Sequence, residues 1–416
     1  MPKLLLDISP LRDLPAYRRL FTAVSISNIG QQMTSVAVGI QVYTLTHSSF
    51  AVGVVGLCQL IPLVALGLFG GAMSDSYDRR RIGLISAVGM TLASFMLLVQ
   101  ALRGNTQVWL LYVLVAFASS FFAVGNPARQ SIIPRIVPKE RLPQANSLSM
   151  LSWNIGFTAG PLLGGILIGI TGHVATAYFV DVIAYLVMVW AMWALPSLPP
   201  QEGAPSRPGL ASVKEGLTFL RGKRNLQMTF FADIIAMVFG LPRALFPAIA
   251  VHWYGESIGT TASRVGLLTA APALGAALSA IFSSPLTRVF KQGRAITWSI
   301  IAWGAAITAF GLTRNIALGV FFLALAGAAD NVSALYRTTM LQSAVPDEYR
   351  GRLQGLFTVV VAGGPRLGDF EAGAVAGIGG EAFSVISGGI ACIVLTVALV
   401  RWHPSFLKYD SRNPTL

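Results

Sequence analysis

Residues 196–209 read PSLPPQEGAPSRPG, five prolines in fourteen positions at the midpoint of a 416-residue chain. Proline locks φ and lacks the amide proton a helix needs, so no helix runs through this stretch. Long apolar runs lie on both sides of it. Before it they fall near 20–45, 50–73, 82–102, 107–127, 144–171 and 174–195. After it they fall near 226–253, 264–286, 295–313, 316–340, 353–378 and 382–402. A helix crosses the bilayer core with about 20 apolar residues, whereas barrel strands alternate over about ten. These runs are continuous, so the expected fold is an all-α membrane protein with twelve transmembrane helices. The halves are 1–195 and 226–416, and 196–225 is a cytoplasmic linker. In that linker Leu210, Val213, Leu217 and Leu220 recur at helical spacing among Lys214, Arg221, Lys223 and Arg224. The pattern suits a short amphipathic helix on the inner leaflet, with a solvated basic linker as the alternative.

Composition points the same way. Hydrophobic residues make up 54% of the chain and charged residues 11%, against about 25% charged in a soluble domain. This excludes a soluble enzyme. The formal charge of +13 acquires a meaning once the cations are placed. With both termini cytoplasmic, 25 of the 30 lysines and arginines face inward, three (Arg103, Arg264, Arg314) face outward, and Arg243 and Arg366 lie within spans. Such an asymmetry orients the chain by the positive-inside rule and leaves no basic domain for nucleic acid. The opening MPKLLLDISPLRDLPAYRRLF is amphipathic and broken by Pro10 and Pro15, and reads as a retained interfacial segment rather than a signal peptide.

Several chemistries are set aside by the residues available. Cys58 and Cys392 sit in apolar stretches, and the four histidines form no HExxH or HxxxH pair, so neither a disulfide nor a metal site is expected. The dipeptide Gly222-Lys223 is followed by Arg224, so there is no phosphate-binding GxxxxGK[ST] loop. No cofactor is expected, and an ion gradient is left as the energy source.

Internal repetition relates the halves. VPKE at 137–140 returns as VPDE at 345–348, an offset of 208 that also carries Arg129 onto Arg337. GPLLGG at 160–165 is echoed by GPRLGD at 364–369, offset 204. Two six-helix halves in a parallel repeat make a transporter architecture, with the cargo cavity near the midplane and rigid-body rocking as the motion.

The connection GGAMSDSYDRRR (70–81) resembles the loop signature of the major facilitator superfamily, with Gly71, Asp75, Arg79 and Arg80 on matching positions and Ser76 and Asp78 departing from it. A carboxylate followed by guanidiniums can latch onto a helix end and pair with charges in the other half. A plain inner-face anchor is the simpler role. In the fifth span NIGFTAGPLLGG places Gly156, Gly160 and Gly164 four apart, with Pro161 and Gly165 beside them. This resembles the glycine-proline motif of the superfamily's antiporters and implies export, although close packing through small residues fits the spacing too. SNIGQQMTSVAVGIQVYTLTHSS (27–49), PARQSIIPRIVPKERLPQANSL (127–148), GLPRALFPAIA (240–250) and GGPRLGDFEAG (363–373) look like the branch holding the enterobactin exporter and the third group of drug:proton antiporters. The resemblance spans essentially the whole chain. It implies a bacterial inner-membrane exporter of drugs or siderophores.

Intramembrane charge is costly and seldom kept without use. The charged residues placed within spans are Asp181, Asp233, Arg243, Asp330, Arg366, Asp369 and Glu371. Arg366 and Asp369, three apart, are expected to pair on one helix face, for coupling or for structure. Asp330 has no cation within four residues of its own helix and suits proton carriage, as does Asp233, with hydrogen bonding between helices as the rival. Asn28, Gln31, Gln32 and Gln41 of the first span and Asn154 of the fifth suit hydrogen bonding to cargo, or polar packing. The function read from these residues is proton-driven secondary export of an amphipathic small molecule by alternating access. A transport-inactive sensor or a metabolite importer of the same fold is the alternative. Expected partners are the small-molecule substrate, protons and membrane lipid, with the chain working as a monomer.

Overall fold

The computed structural model describes residues 7–199, 215, 218–255, 258–281, 289–345 and 347–412, with backbone only at 68–76, 258, 342–344, 347–352, 354–356 and 358. Every regular element among them is helical: α1 Pro15–Thr46, α2 Ser49–Ser76, α3 Arg79–Leu102, α4 Val108–Ile136, α5 Leu142–Thr171, α6 Ala175–Trp193, α7 Arg224–Phe239, α8 Phe246–His252, α9 Ile258–Ile281, α10 Gln292–Leu312, α11 Ile316–Ala344 and α12 Asp347–Trp402. Short polar signals begin and end them. The Asp78 carboxylate accepts from Arg80 N at the start of α3, and the Asn315 side chain accepts from Ala317 N and Leu318 N at the start of α11. Gly172, at φ 73°, closes α5 in the left-handed conformation.

Ten helices among the described residues are long and apolar enough to cross a membrane. The 32-residue α1 is not one of the ten, because Ser25, Ser27, Asn28, Gln31, Gln32 and Thr34 dilute its apolar character. The longest, Val359–Trp402, is broken at Gly380, whose φ of 82° no side-chain-bearing residue adopts readily. Large apolar side chains such as Ile170 and Ile378 are exposed at 79% and 91%, as lipid-facing helices require.

Helix limits differ from the sequence expectation in three places. The fourth run is expected to end near 127, yet α4 continues through Pro127 and Pro134 to Ile136. Proline is tolerated within membrane helices because neighbouring groups re-satisfy the freed carbonyl. The run at 226–253 divides at Gly240–Pro242 into α7 and α8, joined by a 3-10 turn at Arg243–Leu245. The eighth run begins at Ile258 rather than 264, and its expected end, 282–286, lies outside the described residues. So does most of the expected linker helix, although Leu220 packs with Leu226, Phe230, Leu341, Val345 and Leu353.

The chain forms two compact units. The first comprises Met1–Leu45, Ile61–Gly209 and Ile258–Gly266, and the second Thr46–Leu60, Leu210–Ser257 and Leu267–Leu416. Within the first, Leu20, Ala23, Ala87, Met90, Tyr185 and Met188 belong to one buried cluster on α1, α3 and α6. Within the second, Gly275 of α9 abuts the Ala324 carbonyl and Gly327 of α11 abuts the Pro272 carbonyl. Helices surrounded by lipid gain nothing from apolar burial against each other, so close backbone approach through small residues holds them.

Candidate functional site

In the second unit one cation serves two acids. Arg337 Nη1 lies 2.7 Å from Asp233 Oδ1 on α7, and Nη2 lies 3.4 Å from Asp330 Oδ1 on its own helix α11. The Arg337 and Asp233 side chains are 3% and 2% exposed, while Asp330 is 31% exposed. Two carboxylates around one guanidinium carry a net −1 when both are ionised, and desolvating an uncompensated charge costs on the order of several kcal/mol. Binding one proton removes that excess. Arg337, counted among the inner-face cations in the sequence, is buried in this site. Its spacing of seven from Asp330 is two helical turns, which places both on one side of α11.

A second cluster surrounds Asp369. Both of its oxygens accept from Arg243, Oδ1 from Nε at 3.4 Å and Oδ2 from Nη2. The expected Arg366–Asp369 pair is therefore replaced by a bidentate pair reaching α12 from the turn before α8. Arg366 Nη1 donates to the Ala362 carbonyl one turn back in α12. Glu371 forms no ion pair among the described residues.

In the first unit Asp181 of α6 is 2% exposed. Its Oδ2 accepts from Thr34 Oγ1 of α1 at 2.9 Å and from Ser94 Oγ of α3 at 2.7 Å. Its Oδ1 has no described donor. Gly30 makes this junction possible, since a Cβ there would stand 2.7 Å from Asp181 Oδ1. One turn on, Tyr185 lies beside Arg129, whose guanidinium is 5.8 Å from the Phe122 ring centre. Arg129 thus lies within α4, in its C-terminal part.

The amide candidates separate into two groups. Gln41 and Gln100 exchange hydrogen bonds at 2.9 and 3.0 Å, and Tyr178 Oη donates to Gln41 Oε1 at 2.7 Å. All three are buried, and this satisfied network removes Gln41 from the groups available to cargo. Asn28, Gln31 and Gln32 are half-buried, share one face of α1, and make no side-chain hydrogen bond among the described residues. Asn154 on α5 is exposed.

The glycines of α5 face two neighbours. Cβ atoms at Gly156, Gly160 and Gly164 would stand 2.9 Å from Asn28 Cβ, 2.5 Å from Gln32 Cβ and 3.0 Å from Met33 Cα, all on α1. At Gly165 one would stand 2.5 Å from the Ala262 carbonyl and 2.9 Å from Gly266 Cα on α9. Pro161 lies buried between these crossings, its carbonyl against Gly266.

Residues 7–413 match the family model for transmembrane secretion effectors of the major facilitator superfamily. The chain belongs to that family. It is 30% identical over 395 residues to the enterobactin exporter EntS of Citrobacter koseri, covering 94% of this chain and 92% of that one. To EntS of Escherichia coli O1:K1 / APEC it is 30% identical over 398 residues, covering 95% and 94%. Its fold is that of the nucleoside transporter NupG, with a TM-score of 0.72 at 13% identity, covering 95% of this chain and all of that one. It is a multi-pass membrane protein of a transporter family rather than an enzyme family.

In this facilitator-family chain two arginines of the loop signature donate to backbone carbonyls. Arg80 donates from Nε to Met192 O at 3.3 Å and from Nη2 to Trp193 O at 2.6 Å, at the end of α6. Arg79 Nη1 donates to Ser131 O of α4 at 3.3 Å. Cations at a helix C-terminus satisfy carbonyls that have no intrahelical donor. Asp78 accepts from Ser197 Oγ, Leu198 N and Arg80 N, tying the start of the proline-rich stretch to α3. Burial acts to raise the Asp78 pKa, but hydrogen bonds from Ser197, Leu198, Arg80 and Arg81 outweigh it and hold the carboxyl below its ordinary value. The side chains of Gly71 and Asp75 lie outside the described residues.

One acid escapes a reading of the sequence. Glu381, directly after the Gly380 break, accepts from Ser49 Oγ at 3.0 Å and lies 3.4 Å from His252 Nδ1. The Gly379-Gly380 pair before an acid at a helix start is the available signal.

Proposed function

We propose that this chain is a secondary active exporter that moves an amphipathic small molecule, a drug or siderophore, out of the cytoplasm in exchange for protons by alternating access. The observation that carries export is the likeness to enterobactin exporters along 94% and 95% of the chain. Proton exchange is supported by the Asp233–Arg337–Asp330 cluster, whose charge is balanced by one proton. One proton moving down about 100 mV yields about 2.3 kcal/mol, enough for roughly a fifty-fold gradient of a neutral cargo.

Counting α1 and the two arms of α12 separately gives twelve crossings, arranged as halves 1–195 and 226–416 around the linker 196–225. The repeats at offsets 208 and 204 support a parallel relation between the halves. The 25 cations assigned to the inner face in the sequence support cytoplasmic termini in a bacterial inner membrane. Protons, cargo and lipid are the partners, and the working unit is a monomer. Asn28, Gln31 and Gln32 contact cargo, while Arg79 and Arg80 hold the inner end of the first half.

Accumulation of a labelled drug panel and of a catecholate siderophore in everted vesicles tests this reading. Uptake that collapses with a proton uncoupler is expected. Asp330→Asn should lose accumulation while still binding cargo; wild-type pumping by that variant would remove Asp330 from the coupling path.

A further inference from the structure

The cargo's charge can be read from α12. Asp369 has both oxygens committed to Arg243, so its capacity to receive a second bidentate guanidinium is used. Arg366, three residues earlier, is left with one donated bond, to the carbonyl of Ala362. Its Nε is buried and donates to no described group. Two guanidiniums therefore share one carboxylate, a local charge of +1. Glu371 does not cancel it, since five residues along a helix turn it about 140° from Arg366. The Asp233–Arg337–Asp330 cluster is internally committed and has the opposite sign.

A half-buried guanidinium with an unsatisfied edge is matched by a planar oxyanion, which can take two parallel N–H bonds. An apolar side chain lies on this side of α12. Leu60 Cδ1 is 3.1 Å from where a Cβ on Gly363 would stand, one turn before Arg366 and on its side of the helix. An anion with an apolar body fits such surroundings, with an aliphatic side chain meeting the body. A lipid headgroup could present the same oxyanion, yet Arg366 precedes the Gly380 break by fourteen residues, about 21 Å of helix. That depth favours cargo over a headgroup.

We propose that Arg366 is the anion-recognising residue of the cargo site, taking a carboxylate, sulfonate or comparable oxyanion of an amphipathic substrate, with the Arg243–Asp369 pair as its positioning support. This rests on the exporter reading above and adds the charge class of what is exported.

The test uses purified full-length protein in nanodiscs and a probe pair differing only in charge, dansylglycine and its methyl ester. Wild type should bind the acid at least about tenfold more tightly than the ester, a factor of ten being about 1.4 kcal/mol. Arg366→Gln should bring that ratio to about one with ester binding intact, and Arg366→Lys should keep part of it. Thermal unfolding of each variant separates a lost site from a lost fold. Equal affinities in wild type, absence of binding by both probes, or an unchanged ratio in a folded Arg366→Gln protein would overturn the proposal. Nanodiscs with and without phosphatidylglycerol resolve the source: selectivity present in neutral lipid and abolished by the anionic lipid would assign the site to headgroups and reject a cargo role. Uptake of the acid into everted vesicles is scored separately. Selective binding without uptake counts against the exporter reading and leaves the anion site standing.

Discussion

Arg337 and Asp233 form an ion pair between α11 and α7, 2.7 Å apart, with both side chains almost wholly buried. At the sequence offset of 208 that superposes VPKE on VPDE, Arg337 falls on Arg129, Asp233 on Ser25 and Asp330 on Phe122. Arg129 accordingly lies near an aromatic ring rather than between two acids. The same cation is thus kept at both positions, while titratable partners on the matching positions occur only in the second unit.

Removing one member of a buried pair strands the other, at a cost of about 3–5 kcal/mol. Arg337→Gln should therefore lower the unfolding temperature sharply, because two carboxylates lose their cation. Adding Asp233→Asn should restore most of that stability without restoring uncoupler-sensitive accumulation. Thermal unfolding in detergent and vesicle accumulation read the two effects. An unfolding temperature no higher in the double variant than in Arg337→Gln would show that the pair is not what Arg337 stabilises.

The helices are legible in the sequence because lipid offers no partner for backbone groups, so each long apolar run has to satisfy them within a helix. The expectations that fail share a cause, which is that partners lie across helices. Local spacing matches Asp369 with Arg366, whereas Arg243, 126 residues away, takes both of its oxygens. Asp330 has no cation within four residues, yet its cation stands two turns on. Gln41 has the chemistry of a cargo group, but Gln100, 59 residues on, pairs with it. Pro127 has the look of a helix end because proline ends helices in water, and this conceals that Arg129 lies within α4.

The division of the amides on α1 predicts opposite phenotypes for neighbouring residues. Gln41→Leu leaves the Tyr178 hydroxyl without its acceptor, while Gln100 keeps its bonds to Leu97 O and from Asn105, and a buried unsatisfied group costs about 1–3 kcal/mol. Its unfolding temperature should fall while cargo affinity in the folded fraction stays at the wild-type value. Gln32→Ala disturbs no described hydrogen bond, so stability should hold and cargo affinity should weaken, by roughly tenfold for one lost bond at the upper end of the usual range. Paired melting and binding measurements distinguish them; exchanged phenotypes would reverse the assignment.

Gly165 of α5 and Gly266 of α9 meet backbone to backbone, and a side chain at either enters the other helix. Overpacking of a close contact typically costs about 1–3 kcal/mol. Gly165→Leu should lower thermal stability by that order and slow export, with Gly165→Ala between it and wild type. A Leu variant as stable and as active as wild type would mean that the crossing tolerates separation.

The Asp78 clamp gives a pH dependence of definite sign. Its folded pKa lies below the unfolded value, which is about 3.9 for an aspartate. The carboxylate's hydrogen bonds to Ser197, Leu198 and Arg80 are therefore in place throughout the neutral range. Their contribution is complete above the unfolded value and is lost as pH falls through the lower, folded one. Protection of the Leu198 amide against hydrogen exchange, corrected for the intrinsic rate, should stay level from about pH 5 to pH 8 and decline only below the ordinary carboxylate range. Asp78→Ala should abolish that protection at every pH, and loss of the α3 cap should cost about 0.5–2 kcal/mol. Protection that already falls near pH 6 would point to a different titrating group, and unchanged protection in Asp78→Ala would show that Leu198 is held without this carboxylate.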